Sequence, residues 1–246
     1  MDALTILWIF LTGAIPGFFA TWLGIGGCFL RIPMMMGLLG LSIKSAYAVN
    51  MMVIGLATIP GVITHYRMRH VYTKGFITAA IGAAIGVVLG TQLAMMVPSA
   101  TLKNIFGFVC VGVGIYMLYT SLKTRGKVPP RVTIDQITIL EHGPRLGGLM
   151  FLAGIATGLC GFGGGIYYMP ILTALGYPMH IAIGTSSTQM IPVALIGAGN
   201  LTYHGLQNWF FMGTIGAVTL LFSWLGARTT ATMKAWLLRA IFGVLI

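Results

Sequence analysis

Charge is what this sequence has least of. Only 7% of its 246 residues are Asp, Glu, Lys or Arg, against roughly 25% in an average soluble domain. Three are acidic: Asp2, Asp135 and Glu141. A soluble fold cannot cover its surface from that supply. Long stretches lack charge altogether: residues 3–30, 75–102, 104–122 and the 82 residues of 146–227. A membrane helix needs about 20 apolar residues, so these runs predict several spans.

Other absences exclude chemistry. There is no paired acid, no H-E-x-x-H metal motif and no Ser-His-Asp arrangement, so the chain does not read as an enzyme and calls for no cofactor. The three cysteines, Cys28, Cys110 and Cys160, sit in apolar segments without metal-ligand spacing and read as small buried residues. No carboxylate lies within a predicted span, which leaves no acidic proton relay of the kind common in coupled transporters. Sodium held by carbonyls and hydroxyls stays open as a coupling ion, and uniport export driven by potential and concentration is the expectation. The net charge of +11 comes mostly from short loops, as the positive-inside rule requires. No soluble basic domain is present to bind nucleic acid.

What is abundant is apolar surface and glycine. Hydrophobic residues make up 57% of the chain and glycine contributes 35 residues, which suits close packing of membrane helices. Spans are predicted at about 4–23, 44–65, 75–97 and 102–122, with a short apolar piece at 28–40. After a polar linker the pattern repeats: 146–160, a short piece at 165–176, then 180–203, 208–229 and 234 onward. The expectation is an all-α polytopic membrane protein with about eight transmembrane helices plus two short half-helix or re-entrant segments. Residues 1–122 would form one repeat, 123–145 a cytoplasmic linker, and 146–246 a second repeat with a truncated last helix. If the short pieces cross, each half instead has five crossings and the repeat is inverted. If the short pieces do not cross, Arg67, Arg69, Lys74, Lys123, Arg125, Lys127, Arg131 and Arg145 are expected together on the cytoplasmic side. Arg31, Lys44, Lys103, Arg228 and Lys234 are expected on the other.

The two halves match best at GIGGCFLRIP (24–33) and GFGGGIYYMP (161–170), 137 positions apart. Clustered glycines let the backbone leave helical geometry. A half-helix starting just after them points its positive end at the loop, which makes an anion site. Interrupted segments at matching places in two halves point to a transporter's substrate site. The bland alternative is tight packing through small residues. Candidate substrate-binding residues are Gly26, Gly27, Arg31 and Asn50 from the first half. Gly163, Gly164, Gly165, Thr185, Ser186 and Gln189 come from the second. Arg31 either pairs with an anion or snorkels to the headgroups. Lys44 reads as interfacial. His65 and His204, beside Tyr66 and Tyr203, read as interface histidines within an aromatic belt.

The paired G-x-G-G segments ending in Pro, with Ala182-Ile183-Gly184-Thr185-Ser186 after the second, resemble the sulfite exporter TauE/SafE family over roughly residues 5–246. The resemblance implies an inner-membrane permease, in the bilayer of a bacterial or archaeal cell, for small sulfur-containing anions such as sulfite and organosulfonates. A homodimer is allowed, and no motif requires one. The first half departs from the pattern. Cys28 stands where the second copy has Gly165, and Ala48-Val49-Asn50 stands where the second has Gly184-Thr185-Ser186.

Overall fold

A computed structural model describes residues 2–22, 26–124 and 143–230. The linker's residues 125–142 and the expected last helix from 234 lie outside the described residues. Those described form ten α-helices and no strand. The first half holds α1 (Ala3–Trp22), α2 (Cys28–Leu38), α3 (Ile43–Ala57), α4 (Ile59–Arg67), α5 (Thr73–Met96) and α6 (Ser99–Thr124). The second holds α7 (Gly143–Cys160), α8 (Gly165–Ala174), α9 (Met179–Tyr203) and α10 (Trp209–Thr230). Five of these helices are long and apolar enough to cross a membrane, or six with the bent α3–α4 pair taken as one. Large apolar side chains such as Phe10, Ile81, Phe108, Ile115 and Leu221 cover the outside, as expected of a multi-pass membrane protein.

The span expected over 44–65 is not continuous. It bends by 40° between α3 and α4. Pro60 is the reason: it has no N–H for the helix ladder, and its ring crowds the carbonyl four residues earlier. Thr58, just before the bend, donates both its amide and its hydroxyl to the Ile54 carbonyl. α2 and α8 are 11 and 10 residues long, so at about 1.5 Å per residue neither spans a bilayer core of about 30 Å.

Glycine sets the helix contacts. A Cβ on Gly86 of α5 would stand 2.1 Å from the Phe151 carbonyl of α7, and one on Gly90 would stand 2.1 Å from the Ile155 carbonyl. α1 meets α10 likewise, where a Cβ on Gly226 would stand 2.1 Å from the Phe18 carbonyl. In both pairs the residue numbers rise together, so the helices run parallel. α3 and α9 run in opposite directions: Gly55 packs on Leu195 and Met51 on Gly197. α9 is the central helix, with 72% of its apolar window buried against 22–39% in the other candidate spans.

These contacts also relocate Arg228. Gly226 sits beside Thr21 and Phe18 at the end of α1, and His65 of α4 bonds the Thr21 carbonyl. Arg228 therefore shares an end of the bundle with Arg67 and Arg69, contrary to the expectation from simple alternation of spans. Lys44 is partly buried and donates to the Met95 carbonyl at 2.9 Å, tying the start of α3 to the end of α5.

Replacing Gly86 by Ala should force α5 away from α7 and lower the thermal midpoint of the purified protein. Gly107→Ala, where a Cβ meets nothing within 4 Å, should leave it unchanged or raise it slightly. Equal midpoints for the two variants would show that backbone approach does not limit this contact.

Candidate functional site

The two glycine segments form matching backbone turns. Gly27 (φ 65°) caps α2 and Gly164 (φ 95°) caps α8, both in the left-handed region, and neither cap carries a side-chain bond. Only glycine takes that conformation at little cost. A Cβ on Gly27 would also stand 2.1 Å from the Pro16 carbonyl of α1. The turns converge on one place. Ile54 of α3 lies against both: its side chain would be 3.1 Å from a Cβ on Gly26 and 2.7 Å from one on Gly163. Met190 of α9 lies on the other side of Gly26, at 3.1 Å. The Cys28 thiol reaches the Gly163 backbone. Gly165, its counterpart, is buried at the start of α8.

Arg31 is fully buried, which removes the snorkelling alternative. It leaves the bundle end to which Lys44 and Lys103 belong with one cation fewer. Nη1 donates to Asn50 Oδ1 at 3.1 Å and to the Gly26 carbonyl at 3.5 Å, and Nη2 donates to Thr219 Oγ1 at 3.2 Å. Nε is buried with no partner. Asn50 in turn donates from Nδ2 to the Gly161 carbonyl at 2.8 Å, and Thr219 donates to the Gly13 carbonyl. One network thus joins α2, α3, α10, α1 and the second glycine segment. Every acceptor on the guanidinium is neutral, and among the described residues no carboxylate approaches it. A buried cation without a counter-charge is expensive. This arrangement provides a site that an anion would stabilise.

Thr185 and Gln189 of the second polar cluster face another contact. Thr185, Ser186 and Gln189 are all buried on α9. Thr185 Oγ1 accepts the Tyr72 amide at 3.0 Å, and Gln189 donates to the Ala79 carbonyl at 3.1 Å. Their spacing of four residues puts them on one helix face, and that face holds α5 and the turn before it. The structure brings Gly26, Arg31, Asn50 and Gly163 together, whereas Thr185 and Gln189 bond the Tyr72 amide and the Ala79 carbonyl, with Gln189 Oε1 buried and unpartnered. Thr219 and Gly161 were absent from the sequence candidates. Gly161 was legible as the first glycine of its motif. Thr219 was not: it stands in an uncharged run with no pattern around it, 188 positions from Arg31.

An apolar-coated helical bundle, interrupted at two inward-facing glycine turns around a buried cation, belongs to the class of multi-pass membrane transporters. The family model for the sulfite exporter TauE/SafE matches residues 9–246, and the chain belongs to that family. A probable membrane transporter protein of Xylella fastidiosa strain Temecula1 is 28% identical, over 96% of this chain and 89% of the relative. Its namesake in strain 9a5c is 26% identical over the same shares. A probable membrane transporter protein of Methanocaldococcus jannaschii is 26% identical over 86% of this chain and 77% of the relative. No solved structure matches the chain.

Asn50→Ala removes a donor and an acceptor from buried partners and should cost about 1–3 kcal/mol of stability. Thr185→Val should expose the Tyr72 amide to faster hydrogen exchange and leave anion affinity unchanged. A drop in affinity with Thr185→Val would return that residue to the binding site.

Proposed function

We propose that the chain is a permease of the inner membrane that exports a small sulfur-containing anion, sulfite or an organosulfonate, by alternating access around the paired glycine turns. The observation that carries this reading is Arg31: a buried guanidinium held only by neutral acceptors, with Nε unpartnered. Charge-assisted bonds to an oxyanion match its fork of donors. The uncapped starts of α2 and α8 add positive dipole ends nearby. Membership of the sulfite exporter family supports the sulfur oxyanion class. With the cytoplasm negative, each exported negative charge gains about 2.3 kcal/mol per 100 mV, so no acid relay is needed.

The helix directions support the inverted arrangement of the two repeats. α3 and α9 are equivalent in sequence yet run oppositely. α1 runs with α10, and their counterparts in the other half, α7 and α5, run together likewise. In this reading the short helices α2 and α8, with the glycine segments before them, return the chain through the bilayer. Inverted repeats with broken return helices build alternating access around a midplane site. The exposed Arg67, Arg69, Arg145 and Arg228 then share the cytoplasmic end. A cleft of about 500 Å³, lined by Ser42, Ser99 and Lys103 among others, opens at the opposite end.

The test is flux in proteoliposomes with sulfite, sulfate, sulfoacetate and taurine side by side. At least one sulfur anion should move with saturation, and an imposed voltage should change its rate. No saturable flux of any of the four would remove the substrate class, and flux without saturation would favour an anion channel. Arg31→Gln should weaken apparent anion affinity while the protein stays folded. Asn50→Asp should supply Arg31 with a fixed counter-charge and abolish flux, while losing the bond to the Gly161 carbonyl. Unchanged affinity in both variants would separate Arg31 from the substrate.

A further inference from the structure

Three of the five histidines meet at one place. The rings of His65 and His70 lie 5.9 Å apart, and those of His70 and His180 lie 5.5 Å apart. His65 is fully buried, which corrects the expectation that it lies in the aromatic belt; Tyr66 beside it is exposed, as is His204. Each of the three rings has a buried Nδ1 with no partner. His65 Nε2 lies 2.9 Å from the Thr21 carbonyl. A carbonyl only accepts, so Nε2 carries the proton and Nδ1 holds the free lone pair.

The chain geometry explains the meeting. α4 ends in a paired-bond turn: the Arg69 amide bonds the Tyr66 carbonyl, and the His70 amide bonds the His65 carbonyl at 3.0 Å. Arg69 supplies the positive φ of 56°. This motif folds the residue after the turn back onto the one five positions earlier, normally as an apolar contact. α9 ends in the same motif, with Gly205 at φ 74° and the Leu206 amide on the Leu201 carbonyl. Leu201, Gly205 and Leu206 lie 136 positions after His65, Arg69 and His70. That is also the offset between Asn50 and Ser186. The same turn is therefore closed by two leucines in one half and by two histidines in the other. Packing alone is served by leucine. The histidines bring what leucine lacks, which is a proton-accepting nitrogen.

The position matters as much. The turn at 68–72 docks on the start of α9, across the two halves. Gly184 makes room for it, since a Cβ there would stand 2.3 Å from the His70 carbonyl, and Thr185 accepts the Tyr72 amide. His180, in the first turn of α9, faces His70. The surroundings supply no acid among the described residues. Arg67 and Arg69 are exposed on the same turn. From the segment before α9, Tyr177 pairs with Tyr72 at 5.8 Å. α1 contributes the Thr21 carbonyl. On α10, Ser223 donates to the Ala57 carbonyl and Arg228 stacks on Trp224.

We propose that His65, His70 and His180 form a proton-binding site at the contact between the 68–72 turn and α9, and that proton uptake at a free Nδ1 loosens this contact and slows transport. A charged ring against two others in an apolar contact is disfavoured by desolvation and repulsion. Burial and the neighbouring His180 ring push the His70 imidazole below its ordinary value. The docked contact thus holds fewer protons than the open one. Docking is undisturbed above the ordinary imidazole value of about 6.5 and weakens as pH falls below it.

The flux readout rests on the permease reading, and the proton readout does not. Histidine-labelled full-length protein in nanodiscs, followed by NMR, should show the three clustered rings taking up protons together at the acid end of the range from about pH 5 to about pH 8. Flux should be measured with ethanesulfonate, whose charge is constant over that range, because sulfite itself titrates near neutrality. The flux should fall several-fold from the upper to the lower pH. In His65→Leu/His70→Leu, which copies the second half, the ratio of the two fluxes should approach one. His70→Gln should flatten it in the same direction and covers the case in which the double variant does not fold. A wild-type pH ratio in either folded variant, or three rings that stay neutral down to about pH 5, would overturn the proposal. If ethanesulfonate and every sulfur anion fail to move, the permease reading falls and the NMR titration alone decides the proton site.

Discussion

A guanidinium charge inside an apolar bundle constrains everything around it. Arg31 cannot reach water, so its N–H groups must find acceptors within the protein, and each must come from a different element. Asn50 on α3, Thr219 on α10 and the Gly26 carbonyl serve the two Nη groups and leave Nε without a partner. Their own remaining polar atoms must then be satisfied, which draws in the Gly161 and Gly13 carbonyls. The charge thus fixes the relative positions of four helices and both glycine segments. None of these partners neutralises it.

The close approaches that allow such a centre come from residues without side chains. Gly86, Gly90 and Gly226 let carbonyls of one helix lie where a Cβ of the next would be. Gly27 does the same between the start of α2 and the middle of α1. Irregular backbone survives at membrane depth only when other protein surrounds it, and α1, α3 and α9 provide that cover. The packing alternative raised for the glycine motifs is therefore partly right. Gly27, which caps α2, also sets the separation of α2 from α1.

Helix positions were legible because each apolar run is bounded by polar or turn residues. α1, α2, α8, α9 and α10 fall within two residues of the expected limits. The break at Thr58 was missed because Pro60 lies in a continuous apolar run, and Pro16 and Pro192 sit in similar runs without ending their helices. Composition cannot say which proline finds its carbonyl strain relieved. The glycine segments were found as a repeat, and Arg31 and Asn50 were found as polar residues out of place. Thr185 and Gln189 stood out for the same reason, yet their partners are the Tyr72 amide and the Ala79 carbonyl. Polarity in an apolar run marks a residue that needs a partner, and only the fold says whether that partner is a ligand or a neighbouring helix. His65 misled because it is adjacent to an exposed Tyr66, while on a helix consecutive residues face different ways.

Asn50 has one further property. Its single amide group faces the Arg31 side chain of one half with its oxygen and the Gly161 backbone of the other with its nitrogen. Rotating that planar group to keep one bond swings the other out of line. The two halves are therefore latched by a part that has no intermediate setting. Sliding α3 past the second glycine segment breaks both bonds within the same small displacement, and a buried amide left unpaired is costly. In the conformation described, the centre of the bundle is a pinned joint rather than a flexible lining.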